Sequence, residues 1–173
     1  MRSEFERIYN EYSSGICGFL YKLCGSASLA EELTQETFYQ AYKSLHRYNG
    51  SCELFTWLAA IAKNTYFKYL RKHKRELLGC ELSELEGVIA DIDERPEDLA
   101  ERRELRDAVI QAVTRLGKKY RDVVVLRIYA ELPFSAIAEF LGITENSAKV
   151  IFHRAKRKLE AELKSQGFID DVR

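Results

Sequence analysis

Proline and long apolar runs are both scarce in this sequence of 173 residues. Only two prolines and nine glycines occur, so few positions would interrupt a helix. Apolar residues recur mostly at three- and four-residue spacing, which predicts an all-helical chain. No apolar stretch approaches the ~20 residues needed to span a bilayer, and the start, MRSEFERIYNEY, has acids where a signal peptide has an apolar core. We therefore expect a cytoplasmic protein with no membrane insertion of its own.

Residues of the kinds that carry catalysis are also few. The three histidines are dispersed, and the sequence has no nucleophile motif and no glycine-rich phosphate loop. Its four cysteines form no CxxC pair and no zinc-binding spacing with histidine. We expect no catalytic residues, no metal and no cofactor. The cysteines are interpreted as buried or incidental thiols, and a redox switch is the alternative, with Cys52 in a predicted loop as its candidate.

The formal net charge is zero, but the charges are unevenly distributed. Residues 63–75 carry six Lys or Arg and no acid, residues 76–104 carry eleven acids and three bases, and residues 149–158 carry five Lys or Arg and no acid. Two basic stretches on either side of an acidic one predict two DNA-facing surfaces. Because neutralised phosphates set non-specific affinity, a neutral chain should bind DNA weakly alone. A partner that supplies affinity is implied.

The helical periodicity divides the chain into two units. Helices are predicted at about 4–24, 28–46 and 53–74, the second opened by a capping box of Ser28 and Glu31.

Beyond these helices the composition turns polar and acidic, which predicts a linker over residues 76–103 with at most a helical patch. A second unit follows, whose first helix stops at Gly117. The run DVVVLRIYA is rich in β-branched residues, but we predict a helix because helical periodicity flanks it. The fold class is all-α: two small helical domains, 1–75 and 104–173, joined by an acidic linker.

Residues 134–163 have the form of a helix-turn-helix. Ser135 can cap a short helix, Ala138 is small enough for two helices to cross closely, and Gly142 permits a left-handed turn. Thr144 can cap the second helix. A helical wheel of that second helix puts one group of residues on a core side: Ala148, Ile151, Phe152, Ala155 and Leu159. Polar and basic residues occupy the opposite side, as in a recognition helix that enters a major groove.

Three blocks of the sequence resemble extracytoplasmic-function (ECF) sigma factors of bacterial RNA polymerase. AEELTQETFYQAYKSL is similar to their polymerase-binding helix, RYNGSCELFTWLAAIAKNTYFKYLRKHKR to the loop and helix that recognise and open the −10 element, and SAKVIFHRAKRKL to their −35 recognition helix. The resemblance implies a factor that directs promoter-specific initiation together with core polymerase, double-stranded promoter DNA and the melted −10 strand. It also implies an anti-sigma factor as a partner.

The resemblance implies a role for each block. The residues expected to bind polymerase are Glu32, Gln35 and Glu36. Those expected to recognise and melt the −10 element are Tyr48, Asn49, Gly50, Ser51, Trp57, Lys63, Asn64, Lys68, Arg71 and Lys72. Those expected to recognise the −35 element are Asn146, Ser147, Lys149, Val150, His153, Arg154 and Arg157.

The sequence departs from the family pattern in the −10 loop and in the recognition helix. The common loop F-R-G-E-S-S-F is Y-N-G-S-C-E-L here, and the frequent Ser-Arg pair is Val150-Ile151. Because that loop dictates which base is captured, the family's base preference does not transfer. The alternative function is a helix-turn-helix regulator with an amino-terminal ligand-sensing or dimerising domain, which would bind its operator tightly by itself.

Overall fold

A computed structural model describes residues 2–77 and 96–169, and all its regular secondary structure in these ranges is helical. The predicted all-α class is confirmed. The helices are α1 (Arg2–Cys24), α2 (Ala27–Ser44), α3 (Leu54–Leu77), α4 (Pro96–Arg115), α5 (Lys118–Val124), α6 (Phe134–Leu141) and α7 (Glu145–Ser165). A short 3₁₀ turn, Leu45–Arg47, follows α2, and a π-helical turn, Val125–Tyr129, continues α5.

The first three helices pack on one another through the apolar stripe of α1. Ile16, Leu20 and Leu23 of that stripe are at most 1% exposed. Gly25, at φ 67°, reverses the chain, and the hydroxyl of Ser26 accepts a hydrogen bond from the backbone N–H of Leu29. The predicted Ser28 cap is therefore wrong, because the left-handed glycine lets α2 begin directly after α1.

The fourth helix begins at Pro96, within the segment predicted to be linker. Proline is favoured in the first turn of a helix, where its missing N–H would have no partner. The carboxyl end of the predicted linker, 96–103, is therefore helical, and the rest of it from residue 78 to 95 lies outside the described residues.

The run DVVVLRIYA is helical, as predicted. Val123, Val124, Val125 and Leu126 are completely buried, so tertiary burial overrides the strand preference of β-branched residues. The next helix, α6, begins at Phe134 after Pro133, which makes no side-chain capping bond. The predicted Ser135 cap is therefore wrong, because Ser135 lies inside the first turn.

The amino- and carboxyl-terminal halves share one hydrophobic core. A single buried cluster includes Leu58 and Phe67 of α3 together with Val124, Leu126 and Ile137 of the other half. In this arrangement α3 packs against the π-helical turn and α6, and α1 packs against the π-helical turn. The two predicted helical units are therefore joined by side-chain packing as well as by the chain.

Candidate functional site

The last long helix presents the polar face that the sequence predicted. Ala148, Ile151 and Ala155 are at most 5% exposed and form its inner side. The seven residues expected to contact the −35 element are all exposed: Asn146, Ser147, Lys149, Val150, His153, Arg154 and Arg157. We name these seven residues the α7 outer face.

The turn between α6 and α7 has the geometry of a helix-turn-helix. Gly142 adopts φ 64° and ψ 37°, the left-handed conformation that glycine takes at no steric cost. The hydroxyl of Thr144 accepts a hydrogen bond from the backbone N–H of Ser147 at 3.1 Å, so the predicted cap is confirmed. Phe134 and Phe152 meet edge to face and hold the two helices together. These contacts fix the direction in which the α7 outer face points.

In the amino-terminal half, the loop between the 3₁₀ turn and α3 is shaped by its own side chains. The carboxamide oxygen of Asn49 accepts from the backbone N–H of Ser51 at 3.1 Å, and Gly50 adopts φ 73°. The phenol of Tyr48 donates to the carbonyl of Cys52 at 2.6 Å, and its ring lies 5.2 Å from that of half-buried Trp57. The polar tip of the loop is thus exposed, and the rings of Tyr48 and Trp57 pack beneath it.

An open groove of about 430 Å³ runs between α2 and α3. Two predicted −10 residues, Asn64 and Lys68, line it. The lining residues that were not predicted include Gln40, Lys43 and Arg47. The sequence contained a signal for two of them, because Lys43 in the last turn of α2 and Arg47 in the following 3₁₀ turn are cations four residues apart. Predicted residues Arg71 and Lys72 lie exposed on the following turns of α3.

Lys63 does not share this exposed side of α3. It is 3% exposed, and its ammonium donates to Oδ1 of Asp122 in α5 at 2.5 Å. Lys118 binds the other carboxylate oxygen at 3.0 Å. Burial lowers the pKa of Lys63, while the hydrogen bond and charge of Asp122 act in the opposite direction. The expectation that Lys63 faces DNA is therefore not met in this conformation.

A third candidate surface lies on the exposed side of α2. Glu32, Gln35 and Glu36 are exposed, while Leu33, Thr37 and other residues on the opposite side are buried. We name Glu32, Gln35 and Glu36 the α2 acidic face. The carboxylate of Glu36 also accepts from the carboxamide of Gln40 at 2.6 Å, which orders its outer end.

The part of the chain that the structure describes contains no cluster of three or more His, Cys, Asp or Glu residues able to hold a metal ion. The same ranges contain no helix long and apolar enough to span a bilayer.

Comparison with known proteins identifies the family of this chain. A sigma-70 region 2 model matches residues 8–76, and a sigma-70 region 4 model matches residues 106–159. The ECF RNA polymerase sigma factor SigW of Bacillus subtilis (strain 168) is 31% identical over 167 residues, covering 92% of this chain and 89% of that protein. SigM of the same organism is 29% identical over 166 residues, covering 96% and 98%.

A solved structure shares the fold. The sigma factor RpoE from Bartonella quintana, in complex with the anti-sigma factor NepR, is 21% identical with a TM-score of 0.56, covering 93% of this chain and 97% of that chain. The resemblance seen in the sequence is thus confirmed by region 2 and region 4 matches at the two ends of the chain. The chain belongs to the ECF sigma factors, which direct RNA polymerase to promoters and so begin transcription.

Proposed function

We propose that this sigma factor divides its work among three surfaces. The α2 acidic face binds a basic element of core polymerase. The loop around Asn49 and Ser51, together with the groove between α2 and α3, captures the −10 element as it opens. The α7 outer face reads the −35 element in the major groove. The chain performs no reaction itself, since polymerase forms the phosphodiester bonds.

The observation that carries this proposal is the one-sided chemistry of α7. Its inner side is buried against α6 and α5, and its outer side keeps His153, Arg154 and Arg157 exposed. Arginine binds guanine edges and phosphates with paired donors, so such a face suits DNA. The groove between α2 and α3 supports the second role, because Lys43, Arg47 and Lys68 supply cations that attract phosphate.

Transcription with purified components tests the proposal. The isolated chain should bind promoter DNA weakly, because its net charge is zero, and adding core polymerase should give promoter-dependent transcripts. A tight, sequence-specific complex of the chain alone, with no effect on core polymerase, would instead indicate an operator-binding regulator.

Replacing the loop tip should impair strand opening more than promoter binding. In the variant Asn49→Ala/Ser51→Ala, the side-chain hydrogen bond that shapes the loop is lost, and so are two polar groups that can hold an extruded base. We expect about tenfold less permanganate reactivity of unpaired −10 thymines, since each lost hydrogen bond weakens the open state by roughly 0.5–1.5 kcal/mol. Gel-shift affinity of the holoenzyme for closed promoter DNA should change less than about twofold.

Ser14→Ala, a substitution of an exposed serine on α1, is the matched control and should leave opening unchanged. Normal opening in the loop variant, with affinity reduced, would contradict the role assigned to the loop.

We also propose an anti-sigma protein as a partner that keeps the factor inactive in the cytoplasm. Two solved structures that share the fold support this proposal: the sigma factor RpoE is in complex with the anti-sigma factor NepR, and CnrH is in complex with the cytosolic domain of CnrY. Co-expression of this chain with a tagged candidate anti-sigma protein, followed by transcription with core polymerase, tests this assignment.

A further inference from the structure

The contact between the two halves of the chain contains, beside the shared hydrophobic core, an ion pair that is almost completely buried. The side chains of Lys63 in α3 and Asp122 in α5 are 4% and 6% exposed. They belong to different halves and are 59 residues apart in the sequence. Lys118 binds the same carboxylate from the solvent side, with its own side chain 80% exposed. Asp122 therefore holds one buried and one exposed cation.

Other contacts close the same interface around this pair. The guanidinium of Arg121 lies 4.9 Å from the centroid of the Phe67 ring, and Lys22 of α1 pairs with Glu131 at 2.9 Å. The Lys22 and Glu131 side chains are 48% and 72% exposed. That outer pair is accessible to reagents, whereas the inner pair is not.

Lys63 adjoins the residues that the proposed function assigns to the −10 element. It immediately precedes Asn64, which lines the groove between α2 and α3. A carboxylate and a phosphate offer a lysine the same kind of anionic oxygen acceptor. We propose that Asp122 is an intramolecular substitute for a DNA phosphate, which sequesters Lys63 in the free chain and releases it when the two halves separate on core polymerase. This inference rests on the proposed function for the role of Lys63 on DNA.

An ion pair suits a contact that must open. Burying two charges carries a desolvation penalty that their attraction only partly offsets, so a buried pair adds little net stability. Separation of the halves returns both ions to water together. Replacing one partner alone is different, because the other charge is then buried without a counter-ion, and this strongly disfavours the closed arrangement. The ion pair therefore adds little to closure in the native chain, and it opposes closure when one partner is replaced.

Carbodiimide cross-linking measures closure on the intact chain. The reagent joins an amine directly to a carboxylate, so the exposed Lys22–Glu131 pair reports contact between the halves. The Glu145–Lys149 pair, 2.7 Å apart within α7, is an internal standard that closure does not change. We expect the Lys22–Glu131 product in the free protein, and at least about fivefold less of it after core polymerase is bound.

The variant Asp122→Asn should lower the Lys22–Glu131 yield at least fivefold in the free protein while the internal standard stays constant. Its affinity for a single-stranded −10 oligonucleotide should rise at least fivefold, because Lys63 is released. Arg115→Ala, which breaks an exposed ion pair with Glu162 within one half, is the matched control and should leave both values at wild-type levels.

The exchange Lys63→Asp/Asp122→Lys separates closure from DNA binding. It restores a buried pair of opposite charges, so the cross-link should return, but the cation that contacts DNA is gone and oligonucleotide binding should stay weak. Wild-type cross-linking in Asp122→Asn, or no recovery in the exchanged variant, would overturn the inference. Circular dichroism of each variant separates opening from unfolding. Transcription is measured on the same samples. If no sample gives transcripts, the proposed function is contradicted, but the cross-linking result still decides whether the halves close.

Discussion

Replacing Arg154 and Arg157 with alanine should nearly abolish promoter binding by the holoenzyme. Both side chains are exposed on the α7 outer face, and a good paired contact to a base edge is worth about 1–3 kcal/mol. Loss of two such contacts, about 2–6 kcal/mol together, weakens binding at least ~30-fold. If the two arginines contact phosphates, the promoter affinity of the variant should depend less steeply on salt concentration than that of the wild type. Lower salt should then restore that part of the lost affinity. A gel-shift titration at several salt concentrations measures both.

The matched control removes the same number of positive charges from the same helix. Lys158 lies over the ring of Tyr120 rather than on the α7 outer face, and Lys164 is in the last turn of the helix. Lys158→Ala/Lys164→Ala should change promoter affinity less than about threefold, the share expected of general electrostatic attraction. Equal losses in the two variants would mean that net charge, and not the α7 outer face, determines promoter binding.

Reversing the charge of the α2 acidic face should prevent assembly with core polymerase. In Glu32→Lys/Glu36→Lys, two exposed carboxylates one turn apart become cations. The two new lysines would face a basic element of polymerase, and such like charges in contact cost several kcal/mol of binding free energy. The dissociation constant of the complex with core polymerase should therefore rise at least ~100-fold. Fluorescence anisotropy of labelled protein titrated with core polymerase measures this. The helical content should not change, because the buried side of α2 is untouched.

Glu101→Lys/Glu104→Lys makes the same change in net charge on exposed positions of α4 and is the matched control. Its polymerase affinity should stay within about threefold of wild type. If the α4 variant binds as poorly as the α2 variant, the polymerase contact involves overall charge or another surface. Normal transcription by the α2 variant at limiting polymerase would likewise contradict the assignment of the α2 acidic face.

The features that the sequence predicted well depend on short-range periodicity. In α7 the alternation of small or apolar residues with basic ones follows the helical repeat, so Ala148, Ile151 and Arg154 could be placed on the correct sides. The cap at Thr144 and the turn at Gly142 were also predictable, because each depends on residues within one turn of the helix.

The burial of Lys63 was not predicted, because it depends on a contact with a distant part of the sequence. Lys63 lies on the same stripe as buried Ala59 and Tyr66, and that spacing could have warned that it points inward. Its basic neighbours suggested a solvent-facing helix end instead. Nothing local identifies Asp122 as its partner. A long-range ion pair of this kind is decided by tertiary packing, which residue types and spacing do not specify.

Helix boundaries were predicted less well for a related reason. Ser28 and Ser135 are both residue types that cap helices. Gly25 sets the chain direction three residues before Ser28, however, and Pro133 does so two residues before Ser135. Backbone geometry at the preceding turn therefore decided which residue became the cap. The start of α4 at Pro96 also depends on the backbone preference of a single residue, which the overall composition of the segment does not indicate.

The shared hydrophobic core affects how mutant phenotypes of this protein are interpreted. Val124 and Leu126 fall in the segment matched by the region 4 model, but their side chains belong to the same buried cluster as Leu58 and Phe67, which fall in region 2. A cavity-forming substitution at either valine or leucine would loosen the packing of both regions. Mutant alleles that map to region 4 would then display the phenotype of a damaged region 2, and a suppressor could arise in the opposite half of the gene.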